Sequence, residues 1–240
     1  MKLLTMTLAG FFVLTCSVVK ADVSTTPVVP SAIPVAFDKV YTPKGFDDND
    51  NVQVVGEGHF QHTCYRHAQT TAAVDHANKI IHLSPVAYLY PGLCLQLTLP
   101  FDRTIDVGIL EQGDWKITQL DNQVIGQIHI NHSRHPDQPD DYLYAPVSQA
   151  FFHSENGQNE IYLTGNMVSS CMSLQDVRVD VQADVIVVQP IAQMTAGANC
   201  VEGQFHFEKT IKLNLMRSGR YLLHVRSMNG NATNTLVDVF

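Results

Sequence analysis

The chain has 240 residues, 45% of them hydrophobic and 16% charged, with a formal net charge of −8. That length and balance suit one or two globular domains with a core of useful size. The acidic excess is spread along the chain, which favours solubility and excludes the basic footprint of nucleic-acid binding.

Residues 1–21 read as a secretory signal. Lys2 supplies the positive start, Leu3 to Val19 the apolar region, and Val19-Lys20-Ala21 small side chains at the cleavage positions. Val13-Leu14-Thr15-Cys16 offers a lipoprotein alternative, but threonine before the cysteine fits that pattern poorly. No later apolar run approaches the ~20 residues of a membrane span. The expected product starts near Asp22, is periplasmic or secreted, and has no membrane span once the signal is cleaved.

Residues 22–34 hold Pro27, Pro30 and Pro34 among Ser, Thr and Val, and read as an extended leader. A first module follows over residues 35–130, opening with a weak edge strand from Val35 to Tyr41. The polar run Asp47-Asp48-Asn49-Asp50-Asn51 lacks the glycine and glutamate that an EF-hand places at its sixth and twelfth positions. It reads as a solvated turn before a strand from Val52 to Gly58. Further strands are expected at Lys79 to Leu83, at Cys94 to Leu99, at Ile105 to Ile109, and around Trp115-Ile117 and Val124 to Ile130. Cys94 to Leu99 alternates apolar and polar residues as a half-buried strand does. Pro91-Gly92, Asp121-Asn122 and, in the second half, Asn229-Gly230 mark turns. No window holds a convincing amphipathic helix. Residues 131–141, with His135-Pro136-Asp137-Gln138-Pro139-Asp140-Asp141, have the composition of a linker. Residues 142–240 form the second module, with Tyr142 to Phe152 as its opening strand.

The second module repeats the first. Gly58 and Cys64 recur 107 positions on, as Gly165 and Cys171. Pro85-Val86-Ala87 meets Pro190-Ile191-Ala192. From Cys94 onward the offset is 106 without a gap: Phe101-Asp102-Arg103-Thr104-Ile105 becomes Phe207-Glu208-Lys209-Thr210-Ile211, Gly113 becomes Gly219, and Trp115 becomes Tyr221. Five cysteines less Cys16 leave four in the exported chain, an even count that favours disulfides. Of the three possible pairings the repeat selects Cys64–Cys94 and Cys171–Cys200. Each closes a loop for which chain entropy gives about 3–4 kcal/mol of stabilisation.

Short strands, frequent turns and one cystine per hundred residues are the profile of an antiparallel β-sandwich. The segment Ile109 to Ile117, with Leu110, Gly113 and Trp115, resembles the hairpin of many secreted immunoglobulin-like modules; Leu215 to Leu223, with Gly219 and Tyr221, is its echo. The glycine permits a tight turn and the aromatic plugs the core beside it. The resemblance implies an all-β chain of two tandem immunoglobulin-like sandwiches. Trp115 lies after both cysteines of its module, so the antibody pattern, with tryptophan between them, is not met.

No Gly-x-Ser-x-Gly elbow, His-Glu-x-x-His motif or phosphate-cradling glycine loop is present, and the chain reads as non-enzymatic. Histidine is the residue in excess, with eleven copies. His129, His132, His135 and His153 are the candidate ligands for copper or zinc, provided the chain turns at Asn131-His132; as exposed loop histidines they bind nothing. His59, His62 and His67 bracket Cys64, and neither group recurs in the other module. Arg217, Arg220 and Arg226 gather basic charge and form a candidate surface for an acidic partner. Asn131-His132-Ser133 and Asn231-Ala232-Thr233 match the glycosylation acceptor pattern, which matters only in a eukaryotic host. The expected function is that of an exported binding or structural protein presenting sandwich loops and edges to a protein or cell-surface partner. Periplasmic copper or zinc binding is the alternative.

Overall fold

The repeated glycine and phenylalanine meet in space, twice. In the computed structural model, which describes residues 29–138, 140–155, 157–197, 199–214 and 217–240, Gly58 lies opposite Phe101 and Gly165 opposite Phe207 on neighbouring strands. A Cβ on Gly58 would come within 2.7 Å of the Phe101 ring and 2.9 Å of the Ala36 carbonyl oxygen. On Gly165 it would come within 2.8 Å of the Phe207 ring and 2.1 Å of the Pro146 carbonyl oxygen. In each half the incoming chain crosses over a glycine, and the phenylalanine opposite covers the space its missing side chain leaves. The expected signal segment and its cleavage site lie outside the described residues.

The chain is all-β. The strands are β1 (Ser31–Pro34), β2 (Lys39–Tyr41), β3 (Phe46–Asp47), β4 (Val52–Phe60), β5 (Tyr65–Asp75), β6 (Ile80–Leu89), β7 (Leu99–Gly108), β8 (Gly113–Gln119) and β9 (Gln123–Asn131), then β10 (Val147–Glu155), β11 (Gln158–Ser169), β12 (Met172–Gln182), β13 (Val185–Met194), β14 (Glu202–Leu213), β15 (Gly219–Ser227) and β16 (Asn231–Val239). Among the described residues the only helical pieces are two 3-10 turns, Leu120–Asn122 and Met228–Gly230. They sit at the expected turns, where Asp121, Asn122, Asn229 and Gly230 all take positive φ.

Four sheets result. The first runs β5-β6-β8-β9, with β1 added beside β6 and β3 beside β9; the second is β2-β4-β7; the third is β12-β13-β15-β16; the fourth is β10-β11-β14. The pairing order of the first two is thus matched in the last two. The expectation of purely antiparallel sheets needs correction: β6–β8, β3–β9 and β13–β15 are parallel. The reason is the route of the chain. Between β6 and β8 it visits the other sheet through β7, and between β13 and β15 through β14, so it returns in its original direction.

Three apolar clusters join the sheets to one another. Phe37, Val54, Phe60, Ile81, Leu83, Phe101, Trp115 and Ile130 are among the residues packed between the first and second. Ile161, Leu163, Ile186, Val188, Tyr221, Leu223 and Val225 are among those between the third and fourth. Tyr41 and Val55 on the second sheet meet Val185, Val187, Leu222 and Leu236 on the third. The second and third sheets are therefore covered on both faces, which is why Val52 to Val55, Val185 to Val188 and Tyr221 to Val225 are buried without alternation. Trp115 and Tyr221 play one part in the two halves: the indole Nε1 donates to the Glu111 carbonyl at 2.8 Å and the phenol to the Arg217 carbonyl at 3.1 Å, each four residues upstream.

Both expected disulfides, Cys64–Cys94 and Cys171–Cys200, are formed. Local expectations change as well. The opening strands fall at Lys39–Tyr41 rather than Val35 to Tyr41, and at Val147–Glu155 rather than Tyr142 to Phe152. Ser31–Pro34 of the leader pairs with Val86 to Leu89 as an edge strand. Asp47 to Asn51 does turn, with Asp50 N donating to the Asp47 carbonyl at 3.0 Å, but it is not solvated: Asp50 is 3% exposed, because it faces a buried arginine of the second half. Residues 92–98 are not a strand; the cystine at Cys94 and the Pro91-Gly92 turn hold them off the sheet.

Candidate functional site

The four histidines named as metal ligands stay apart, each beside its own carboxylate. His129 Nδ1 lies 2.6 Å from Asp114, across the β8–β9 pair, and His132 Nδ1 lies 2.8 Å from Asp48. His135 lies 3.8 Å from Asp141, and His153 lies 3.2 Å from Glu155. Asp48 accepts hydrogen bonds from Ser133 and His132, which bring its carboxyl down to about 2. Among the described residues, one group of three candidate ligand atoms gathers within 4.8 Å: His62, Cys64 and Cys94. The two sulfurs are joined to each other there, so no thiolate remains for an ion. His59 pairs with Asp38 and His67 with Thr70.

Of the three arginines, Arg226 is turned inward. Its side chain is 5% exposed and donates to Asp50 Oδ2 at 2.9 Å, to the Tyr144 hydroxyl at 3.3 Å and to the Gly45 carbonyl. Its guanidinium lies 4.7 Å from the Phe46 ring centroid. Arg220 bridges the halves differently, reaching Glu57 at 2.6 Å and Asp238 at 3.1 Å. Arg217 is exposed. The expected basic surface is therefore divided, and Arg226 is spent on holding the second half to the first. Around it, Asp50, Asp140, Phe46 and His224 help line a cavity of about 10 Å3, room for one water. Asp50 Oδ1, His224 Nε2 and Arg226 Nε have no hydrogen-bond partner among the described residues. Burial, with the Asp50 charge nearby, pushes Asp140 up to about 7, and burial brings His224 down to about 4. The expected linker is fastened to the same place: Arg134 N and His135 N donate to Asp141, and Asn49 Nδ2 donates to the carbonyls of His135 and Gln138.

A different feature faces outward. The loop between β6 and β7 carries Leu93, Leu95 and Leu97 at 104%, 70% and 54% exposure, with Tyr88 and Tyr90 exposed at its base. Apolar residues so fully exposed and so close in sequence ask for an explanation in a way that scattered ones do not. The loop is not slack. The cystine ties Cys94 to Cys64, Thr63 N donates to the Leu95 carbonyl, Leu95 N donates to Thr63 Oγ1, and Tyr90 N donates to the Cys64 carbonyl. Arg66 clamps the base through the carbonyls of Thr63 and Tyr65.

The second half builds the same scaffold. Ser170 N donates to the Val201 carbonyl, Val201 N donates to Ser170 Oγ, and Thr195 N donates to the Cys171 carbonyl, around the Cys171–Cys200 bond. In the repeat, Thr63 corresponds to Ser170, Leu95 to Val201 and Tyr90 to Thr195, so the three hydrogen bonds are equivalent. The outward side chains are not. Tyr88, Tyr90, Leu93, Leu95 and Leu97 stand where the second half has Gln193, Thr195, Asn199, Val201 and Gly203. At these five positions the second loop keeps one apolar side chain, Val201 at 61% exposure, and stands without the other four, so the leucines and tyrosines of the first loop are more than the scaffold requires. The sequence shows their alternation, but alternation is also the mark of a half-buried strand, and only the cystine and Pro91-Gly92 argue for a loop.

No family model, curated protein or solved structure matches the chain. Among the described residues no helix is long and apolar enough to cross a membrane.

Proposed function

We propose that the chain is an exported, non-enzymatic binding protein made of two immunoglobulin-like β-sandwich modules docked through their neighbouring sheets. It presents the cystine-held loop of the first module to a protein or cell-surface partner. One observation carries this reading: the same hydrogen-bonded loop occurs twice, and in one copy alone it bears three leucines and two tyrosines. Sandwiches lend function through loops held by a rigid frame, and an apolar tip that the frame does not need is selected for what it touches. The copper or zinc alternative draws no support from the histidines, which are dispersed on separate carboxylates.

The test is affinity capture from the native envelope or medium with the exported protein. The variant Leu93→Ser/Leu95→Ser/Leu97→Ser serves as the comparison. Capture by the parent and its loss in the variant support the proposal. Equal capture by both removes the loop from it.

A further inference from the structure

We infer that the leucine-tipped loop docks on a lipid surface, entering the headgroup and upper acyl region of a bilayer. This rests on the reading of the loop as the presented surface and names what it meets. Three observations favour lipid over a folded protein.

The tip is convex. Leu93 is fully exposed, and nothing lies within 4 Å of where a Cβ on Gly92 would stand. Hydrocarbon accepts such a projection without a matching pocket, whereas a protein partner must supply one. The tip is also uncharged: from Ile80 through Phe101 the sequence has no Asp, Glu, Lys or Arg. Protein hot spots favour Trp, Tyr and Arg and under-use Leu, while leucine is among the residues most easily accepted by hydrocarbon.

The residues behind the tip are those of a membrane interface. Tyr88 and Tyr90 are 42% and 40% exposed, and Arg66 sits directly opposite Tyr88 on β5. Tyrosine rings settle at headgroup depth with the phenol toward water, and arginine meets lipid phosphate.

The loop is rigid before it binds, because the cystine and the Thr63–Leu95 hydrogen bonds fix it. Little ordering then opposes insertion.

The experiment is flotation of the exported protein with vesicles of phosphatidylethanolamine and phosphatidylglycerol in a roughly 3:1 ratio, so that an anionic headgroup is present for Arg66. The inference expects the parent to float. Leu93→Ser/Leu95→Ser/Leu97→Ser lowers the bound fraction at least about tenfold, with an unchanged melting temperature. Val201→Ser, at the equivalent position of the second half, floats as the parent does. A parent that stays with the soluble fraction overturns the inference, as does a triple variant that floats equally well. If the parent fails to float but captures an envelope protein that the triple variant does not, the lipid inference falls and the binding role of the loop stands. If neither flotation nor capture depends on the leucines, both fall.

Discussion

Arg226 shows most clearly what a single residue does here. It is a buried cation that answers Asp50 from the other half, with Tyr144, the Gly45 carbonyl and the Phe46 face completing its surroundings. Arg226→Met leaves Asp50 as an uncompensated buried charge, and the expected cost is about 3–5 kcal/mol in urea melts. Asp50→Asn added to that variant should recover part of the loss. Asp140, which faces the Asp50 and Asp141 carboxylates and Arg226, gives the site a pH dependence. Its carboxyl is pushed up to about 7, above the roughly 3.9 of an unfolded aspartate. The folded chain therefore keeps a proton that the unfolded chain has released. That contribution to stability is full below the unfolded value and is lost as pH rises through about 7. His224 opposes it over part of the range. Its folded value of about 4 lies under the ~6.5 of the free imidazole, so its contribution is full above the unfolded value and is lost as pH falls through the folded one. Asp140→Asn removes the first slope alone. Thermal melts at pH 5 and pH 8 should show the variant gaining on the parent at the higher pH, by about 2–4 °C.

At the level of strands and loops, the Gly–Phe contact ties sequence repeat to fold. Gly165→Ala drives a Cβ into the Pro146 carbonyl, and unfolding in denaturant should show a loss of about 1–3 kcal/mol. Gly126→Ala is the control. Its Cβ meets Ile117 and Thr42 at 3.5 Å, ordinary contact, and stability should stay within about 0.5 kcal/mol of the parent. The same repeat made both cystines legible before any coordinates, since the equivalent spacing of Cys64–Cys94 and Cys171–Cys200 selects the pairing. Stretches that alternate, such as Trp115 to Ile117 in β8 and Ile128 to Ile130 in β9, are equally legible. The edge strands β5 and β12 were not: much of Tyr65–Asp75 is Thr, Ala and Gln, and Met172–Gln182 sets charges between its valines, so neither stands out by hydropathy. The loop at Leu93 to Leu97 was misread because its alternation imitates a strand. Its exposure comes from the cystine and from Pro91-Gly92, a tertiary constraint and a turn that outweigh a period of two.

Across the whole molecule, the second and third sheets decide the arrangement. Two modules joined by a free linker would each need a polar outer face. Instead Tyr41 and Val55 meet Val185, Val187, Leu222 and Leu236. Around them stand Lys39–Asp184, Glu57–Arg220, Gln53–Asn234 and Asp50–Arg226. The run Val185 to Val188, and Tyr221 to Val225 with only His224 interrupting it, carry this signal in sequence, because a strand covered on both faces has no side that must be polar. Calorimetry should accordingly show one cooperative transition, whereas independent modules would give two. Docking also fixes which surface is free: the loop of the first half lies away from this interface and keeps its leucines exposed. A photo-crosslinking residue placed at Leu93, with the matching position Asn199 as control, tests the binding role of this loop most directly in the native host. Adducts at Leu93 with none at Asn199 are the predicted result; equal yields at the two positions, or none at Leu93, would contradict it.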